Sequence, residues 1–105
     1  MSSEGLHAPR ERLSPKTLSL HFAFTSLIEE FEAVDWYRQR ADDCDDPTLK
    51  AILLHNAREE LEHASMILEW IRRNDAEANA QMTEYLFKEG SITGHEEDAS
   101  EKHGL

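Results

Sequence analysis

Cysteine is almost absent: Cys44 is the single one in 105 residues. A lone thiol cannot close an intrachain disulfide, so the chain suits a reducing cytosol. With no cysteine pair there is also no place for a rubredoxin-type electron donor. Long apolar runs are missing as well. The opening residues MSSEGLHAPRER contain no apolar core, and nothing approaches the roughly 18 apolar residues that a span needs. Neither a signal peptide nor a membrane helix is therefore expected. Basic residues are few, 11 Lys and Arg against 22 Asp and Glu, for a formal net charge of −11. That sign repels nucleic acid and anionic membranes, and it attracts cations. Strand patterns and internal repeats are lacking too. What remains is room for one small all-α domain, near the size at which a single core is marginal and association helps.

Helical punctuation is clear. Ser14-Pro15 offers a cap followed by a proline at the first helical position, where no donor is needed. From Lys16 to about Ala41 the apolar residues Leu20, Phe24, Leu27, Phe31 and Val34 recur at helical spacing. The acidic stretch Asp42-Asp43-Cys44-Asp45-Asp46 reads as a short turn. Asp46-Pro47 repeats the cap-and-proline signal and opens a second helix to about Arg73, with Arg72 and Arg73 suiting its negative end. Asn74-Asp75 restart a shorter helix over Glu77–Lys88, with Gly90 as its stop. Residues 1–13 are expected to be a flexible N-terminal segment, 14–90 a helical half-bundle, and 91–105 a disordered acidic tail. Two helices cannot bury both of their apolar seams on each other. The expected architecture is thus an antiparallel two-helix hairpin plus a short third helix, completed to a four-helix bundle by two-fold dimerisation.

The chemistry sits in the second helix. Leu49, Leu53, Asn56, Glu60, His63, Ile67 and Trp70 share one stripe at about 100° per residue. Leu53, Ala57, Ala64, Ile67 and Ile71 surround Glu60 there, so its carboxylate is aimed at whatever the helix packs on. A buried carboxylate is costly unless it is paired or holds a metal. Glu and His at i, i+3 on an inward face form the metal-binding element of di-iron helical bundles. On the first helix, Glu30 shares its side with Ala23, Leu27, Val34 and Tyr37, whereas Glu29 and Glu32 point to the flank of Trp36. The alternatives are a charged surface cluster for Glu29, Glu30 and Glu32, and a core histidine bonded to a carbonyl or to Glu60 for His63. Asn56 is either a donor behind the ligands or a polar residue that fixes register. Tyr37 either lies near the metals or packs. His55, Glu59 and Glu62, at i, i+4, i+7 on the outer flank, hold a weaker ion or form a solvated face.

Counting ligands sharpens the reading. A di-iron bundle takes one Glu from each of two helices and a Glu-x-x-His from each of the other two. This chain carries one inward Glu and one such motif, which is half of the set. A two-fold pair of hairpins would complete it, and closed two-fold contacts are the commonest oligomeric solution. Carboxylate and imidazole donors without cysteine suit iron better than structural zinc. Manganese, zinc or calcium could take the same or neighbouring ligands.

The segments Glu29-Glu30-Phe31-Glu32-Ala33-Val34-Asp35-Trp36-Tyr37, Ala51-Ile52-Leu53-Leu54-His55-Asn56, Glu59-Glu60-Leu61-Glu62-His63-Ala64 and Leu68-Glu69-Trp70-Ile71-Arg72-Arg73-Asn74-Asp75-Ala76 closely resemble the encapsulated ferritins, over roughly Leu27 to Thr93. The resemblance implies a ferroxidase that works inside an encapsulin nanocompartment in the cytoplasm. It implies a ring-shaped decamer of five dimers, with two irons at each dimer interface. By motif, Glu30, Glu60 and His63 would be the ferroxidase ligands. Glu29, Glu32 and Trp36 would form a metal-uptake site at the mouth of each centre, and His55, Glu59 and Glu62 an outer accessory site. Such chains usually end in a short apolar, glycine-containing peptide that docks on the shell wall, and Lys102-His103-Gly104-Leu105 does not match it. The competing readings are a rubrerythrin-like di-iron peroxidase and a helical interaction module without metal. Oxygen carriage of the hemerythrin type would need more inward histidines than His63.

Overall fold

The computed structural model describes residues 5–95. The expected chain termini at 1–4 and 96–105 lie outside the described residues. All regular structure among the described residues is helical: a 3-10 turn at Arg10–Arg12, then α1 (Pro15–Asp43), α2 (Pro47–Asn74) and α3 (Ala76–Tyr85). The chain divides into two units, 1–70 and 71–105, with the division falling inside α2.

The local causes are those that the sequence carries. The hydroxyl of Ser14 accepts a hydrogen bond from the Thr17 amide at 3.0 Å, with Pro15 following as the first helical residue. Asp46 accepts from the Thr48 amide at 3.0 Å ahead of α2, and Asp75 accepts from the Ala78 amide at 3.1 Å to open α3. Each carboxylate or hydroxyl satisfies an amide that a helix start leaves without a partner. Helix α1 runs through Asp43, two residues past the expected end, so only residues 44–46 remain as the turn. The long helices have 29 and 28 residues, about 40 Å each at the usual rise. A three-residue link between rods of equal length folds them back as an antiparallel αα-hairpin.

Small residues let the two rods approach. Val34 and Ala41 on α1 and Ala57 and Ala64 on α2 are buried. Each pair is seven residues apart, the repeat that keeps one seam facing a partner helix. Away from this narrow seam the expected apolar stripes are only partly covered, with Leu20, Leu27, Leu53 and Ile67 half-buried. Phe24 and Phe31 of α1, and Leu49 and Trp70 at the two ends of the α2 stripe, are exposed. One neighbour covers one narrow strip of a helix, and a second would be needed for the rest.

Helix α3 ends at Tyr85, earlier than the expected Lys88. Phe87 adopts a left-handed φ of 60°, which an α-helix cannot continue through, and Gly90 follows at 88°. The 91–105 segment, expected to be disordered, begins with a helical turn at 92–95. No helix among the described residues is long and apolar enough to cross a membrane.

Candidate metal centre

Glu30 and Glu60 are equidistant from the hairpin turn, fifteen residues to either side of Asp45. In an antiparallel pair of helices, residues at equal distance from the turn lie side by side, so the two carboxylates meet at mid-length. His63, three residues beyond Glu60, projects from the same face of α2. The structure brings these three together: one donor atom from each lies within 4.8 Å of the other two. His63 Nδ1 stands 3.6 Å from Glu30 Oε2 and 3.6 Å from Glu60 Oε2. Those separations are too long for hydrogen bonds, so the imidazole sits between two oxygens without satisfying either. Ala57 and Ala64, each about one turn from Glu60, hold the α2 backbone close enough to α1 for this meeting.

One atom is decisive. Glu30 Oε2 is buried and accepts no hydrogen bond, an arrangement that costs about 1–3 kcal/mol where nothing compensates. The neighbouring Glu60 carboxylate is the largest cause that raises the Glu30 pKa above 4.5, with burial second; the His63 ring opposes both. Like charges at close quarters and a desolvated oxygen favour the neutral acid. A divalent cation would favour the opposite state by neutralising both carboxylates. Two carboxylates and an imidazole are a donor set for iron, manganese or zinc, with hard oxygens that suit a ferric ion. The donors present therefore fit a metal.

The surroundings are uneven. The Glu30 and Glu60 side chains are 23% and 26% exposed, but that of His63 is 44% exposed, so the imidazole side of the cluster opens to solvent in a single chain. Glu29, Glu32 and Trp36 all lie exposed on α1 and are not part of the three-residue cluster. His55 Nε2 and Glu59 Oε1 are 3.5 Å apart on the outer flank of α2, beside an exposed Glu62. They join no group of three donors among the described residues. Asn56 is half-buried on the α2 stripe. Tyr37 is half-buried on α1, and the Arg40 guanidinium stands 5.5 Å from its ring centroid, a cation–π pairing that sequence reading did not anticipate,. Its signal was the i, i+3 spacing of the two residues.

A carboxylate–imidazole cluster midway along an antiparallel helical hairpin defines a ferritin-like helical protein. Comparison with known proteins narrows the class. The EncFtn-like family model matches residues 5–89. An encapsulated ferritin-like protein of Rhodospirillum rubrum is 54% identical over 95 residues, covering 90% of this chain and 68% of that protein. A ferritin-like protein of Thermotoga maritima is 45% identical over 94 residues, covering 90% of this chain and 82% of that protein. Among solved structures, the crystal structure of protein ne0167 from Nitrosomonas europaea superposes with a TM-score of 0.80 at 50% identity, covering 84% of this chain and 97% of that one. The chain belongs to the EncFtn-like family.

Proposed function

We propose that the protein is a ferroxidase, oxidising Fe(II) to Fe(III) with dioxygen at a centre formed by Glu30, Glu60 and His63 together with the same residues of a two-fold related copy. The observation that carries the reading is the buried, unbonded Glu30 Oε2 beside a second carboxylate and an imidazole. One chain supplies half the ligands of a di-iron bundle. The solvent-open side of His63 is where the second half would complete the set. Each Fe(II) gives up one electron, and dioxygen takes the electrons. The carboxylates supply negative charge that stabilises the ferric product more than the ferrous substrate. His63 adds a neutral donor, which limits the total charge of the centre. Glu29, Glu32 and Trp36 form the uptake site from which Fe(II) passes inward, and His55, Glu59 and Glu62 an outer accessory site. The working assembly is a decameric ring of dimers housed in an encapsulin compartment, a location supported by the name of the Rhodospirillum rubrum relative.

The test is the rise of ferric absorbance after aerobic addition of Fe(II) to wild type and to Glu30→Ala, Glu60→Ala and His63→Ala. In a symmetric site each substitution removes two ligands, so oxidation should slow by at least about a hundredfold. Circular dichroism beside the kinetics separates lost chemistry from lost fold. Wild-type rates in all three variants would place the chemistry elsewhere.

A further inference from the structure

Beyond α3 the chain is built more deliberately than its acidic, polar composition suggests. Phe87 holds a left-handed backbone with its side chain fully exposed. For a non-glycine residue that conformation costs of order 1 kcal/mol, and here no burial of the ring offsets it. Gly90 takes a second positive φ without such a cost,. Ser91 then caps the next turn: its hydroxyl accepts from the Gly94 amide at 3.0 Å, and its carbonyl accepts from the His95 amide at 3.0 Å. A Cβ at Gly94 would stand 3.1 Å from Ser91 Cβ and Oγ, a tight approach that glycine avoids. The turn delivers His95 back onto α3. His95 Nε2 lies 3.0 Å from Glu84 Oε2, eleven residues earlier. Its ring stands edge-on to Tyr85, with centroids 5.5 Å apart. Nothing in the metal centre uses any of these groups.

We propose that residues 86–95 are a strap, buckled by His95 onto Glu84 and Tyr85, that folds the chain back and pins His95 against the last turn of α3. Strain at Phe87 is offset by the buckle. The consequence is mechanical. With the strap open, His95 would be held only through the chain from Leu86; with it closed, it is pinned at the last turn of α3. Nine residues of slack are removed, up to about 30 Å of extended chain. Closing the strap thus removes most of the volume that His95 could otherwise explore and raises its effective concentration near Glu84. The strap shares no residue with the Glu30, Glu60 and His63 cluster.

The experiment is amide hydrogen exchange of the full chain, read by mass spectrometry, for wild type, His95→Ala and Ser91→Ala. One lost hydrogen bond corresponds to about a five- to tenfold rise in local opening. Exchange over 91–95 should rise by that factor in His95→Ala, and about fivefold in Ser91→Ala through loss of the cap. Exchange over α1 and α2 should not change. Equal 91–95 exchange in wild type and both variants would overturn the strap, as would wild-type exchange there already at the unfolded rate. A rise spread equally over α1 and α2 would also overturn it, because His95 would then support the whole fold.

Discussion

At the scale of single residues, Glu30 joins stability to the proposed metal binding. Its pKa is raised above 4.5, first by Glu60 and then by burial. The sign follows directly: a group whose folded pKa lies above its unfolded value contributes stability below the unfolded value and loses it as pH rises through the folded one. Metal-free protein should therefore give up stability at this residue on going from acid to neutral pH. Glu30→Gln removes the charge and keeps the shape. At pH 7 the metal-free variant should be more stable than wild type by about 1 kcal/mol, a rise in Tm of about 4–8 °C, and the gap should close on acidification. Thermal melts against pH check this, and a variant less stable at every pH would refute it. Protons and metal also compete for the same oxygens, so metal affinity should fall as pH drops through the raised Glu30 value. The flank carboxylates predict something different. Glu29 and Glu32 are exposed, and exposed acids act on cations through a screened field. Glu32→Ala should keep the paired-metal site in a crystal while changing how oxidation rate depends on Fe(II) concentration. A rate curve identical to wild type at all concentrations would return both residues to the role of solvating surface.

At the scale of elements, the two long helices differ in how legible they are. In α2 the apolar residues and the Glu60–His63 motif share one stripe, so periodicity alone indicates which way the ligands face. In α1 they are spread around the rod: Phe22 points away from Phe24, Ile28 and Phe31, and all four are exposed. The stripe of Leu20, Phe24, Leu27, Phe31 and Val34 is periodic, yet only Val34 of the five is buried. Periodicity reports which residues share a face and says nothing of whether that face is covered. Caps, by contrast, are local chemistry, and Ser14, Asp46 and Asp75 mark their helices from sequence. The end of α3 was not legible because Phe87 leaves the helical region through a left-handed conformation that its residue type does not announce. Two substitutions separate these layers. Ala64→Leu places a large side chain in the buried seam of the hairpin, which should cost about 1–3 kcal/mol and push Glu60 and His63 away from Glu30, so metal binding weakens. Ser14→Ala should cost about 1 kcal/mol by fraying the first turn of α1, with metal binding intact. Calorimetry paired with metal titration distinguishes them; equal effects of both on metal binding would mean that the cluster tracks global stability and not the local seam.

At the scale of the whole molecule, the exposed apolar surfaces and the proposed half-set of ligands would be completed by the same partner. Monomeric proteins seldom expose extended apolar patches, and here Phe24, Ile28 and Phe31 lie exposed on one side of α1 within two turns of Glu30. A second hairpin over the cluster would cover apolar surface and bring a second Glu30, Glu60 and His63. The two contributions differ in how they respond to metal. Apolar contact is present with or without it, whereas the four carboxylates brought to one axis repel each other until cations neutralise them. Net charge of −11 per chain adds to that repulsion, more so at low salt. Association should therefore be linked to metal: what binds only the assembled form stabilises it in proportion to the logarithm of its concentration. Native mass spectrometry with and without Fe(II) should find the dimer first and larger rings as metal is added. Glu30→Gln should assemble more readily than wild type without metal and gain less from metal, because it removes two of the four repelling charges and two ligands together. Monomer alone in wild type under both conditions would rule out the shared centre. Assembly of wild type that ignores metal entirely would leave the apolar faces as the whole driving force, and the carboxylate cluster would then have to serve each chain alone.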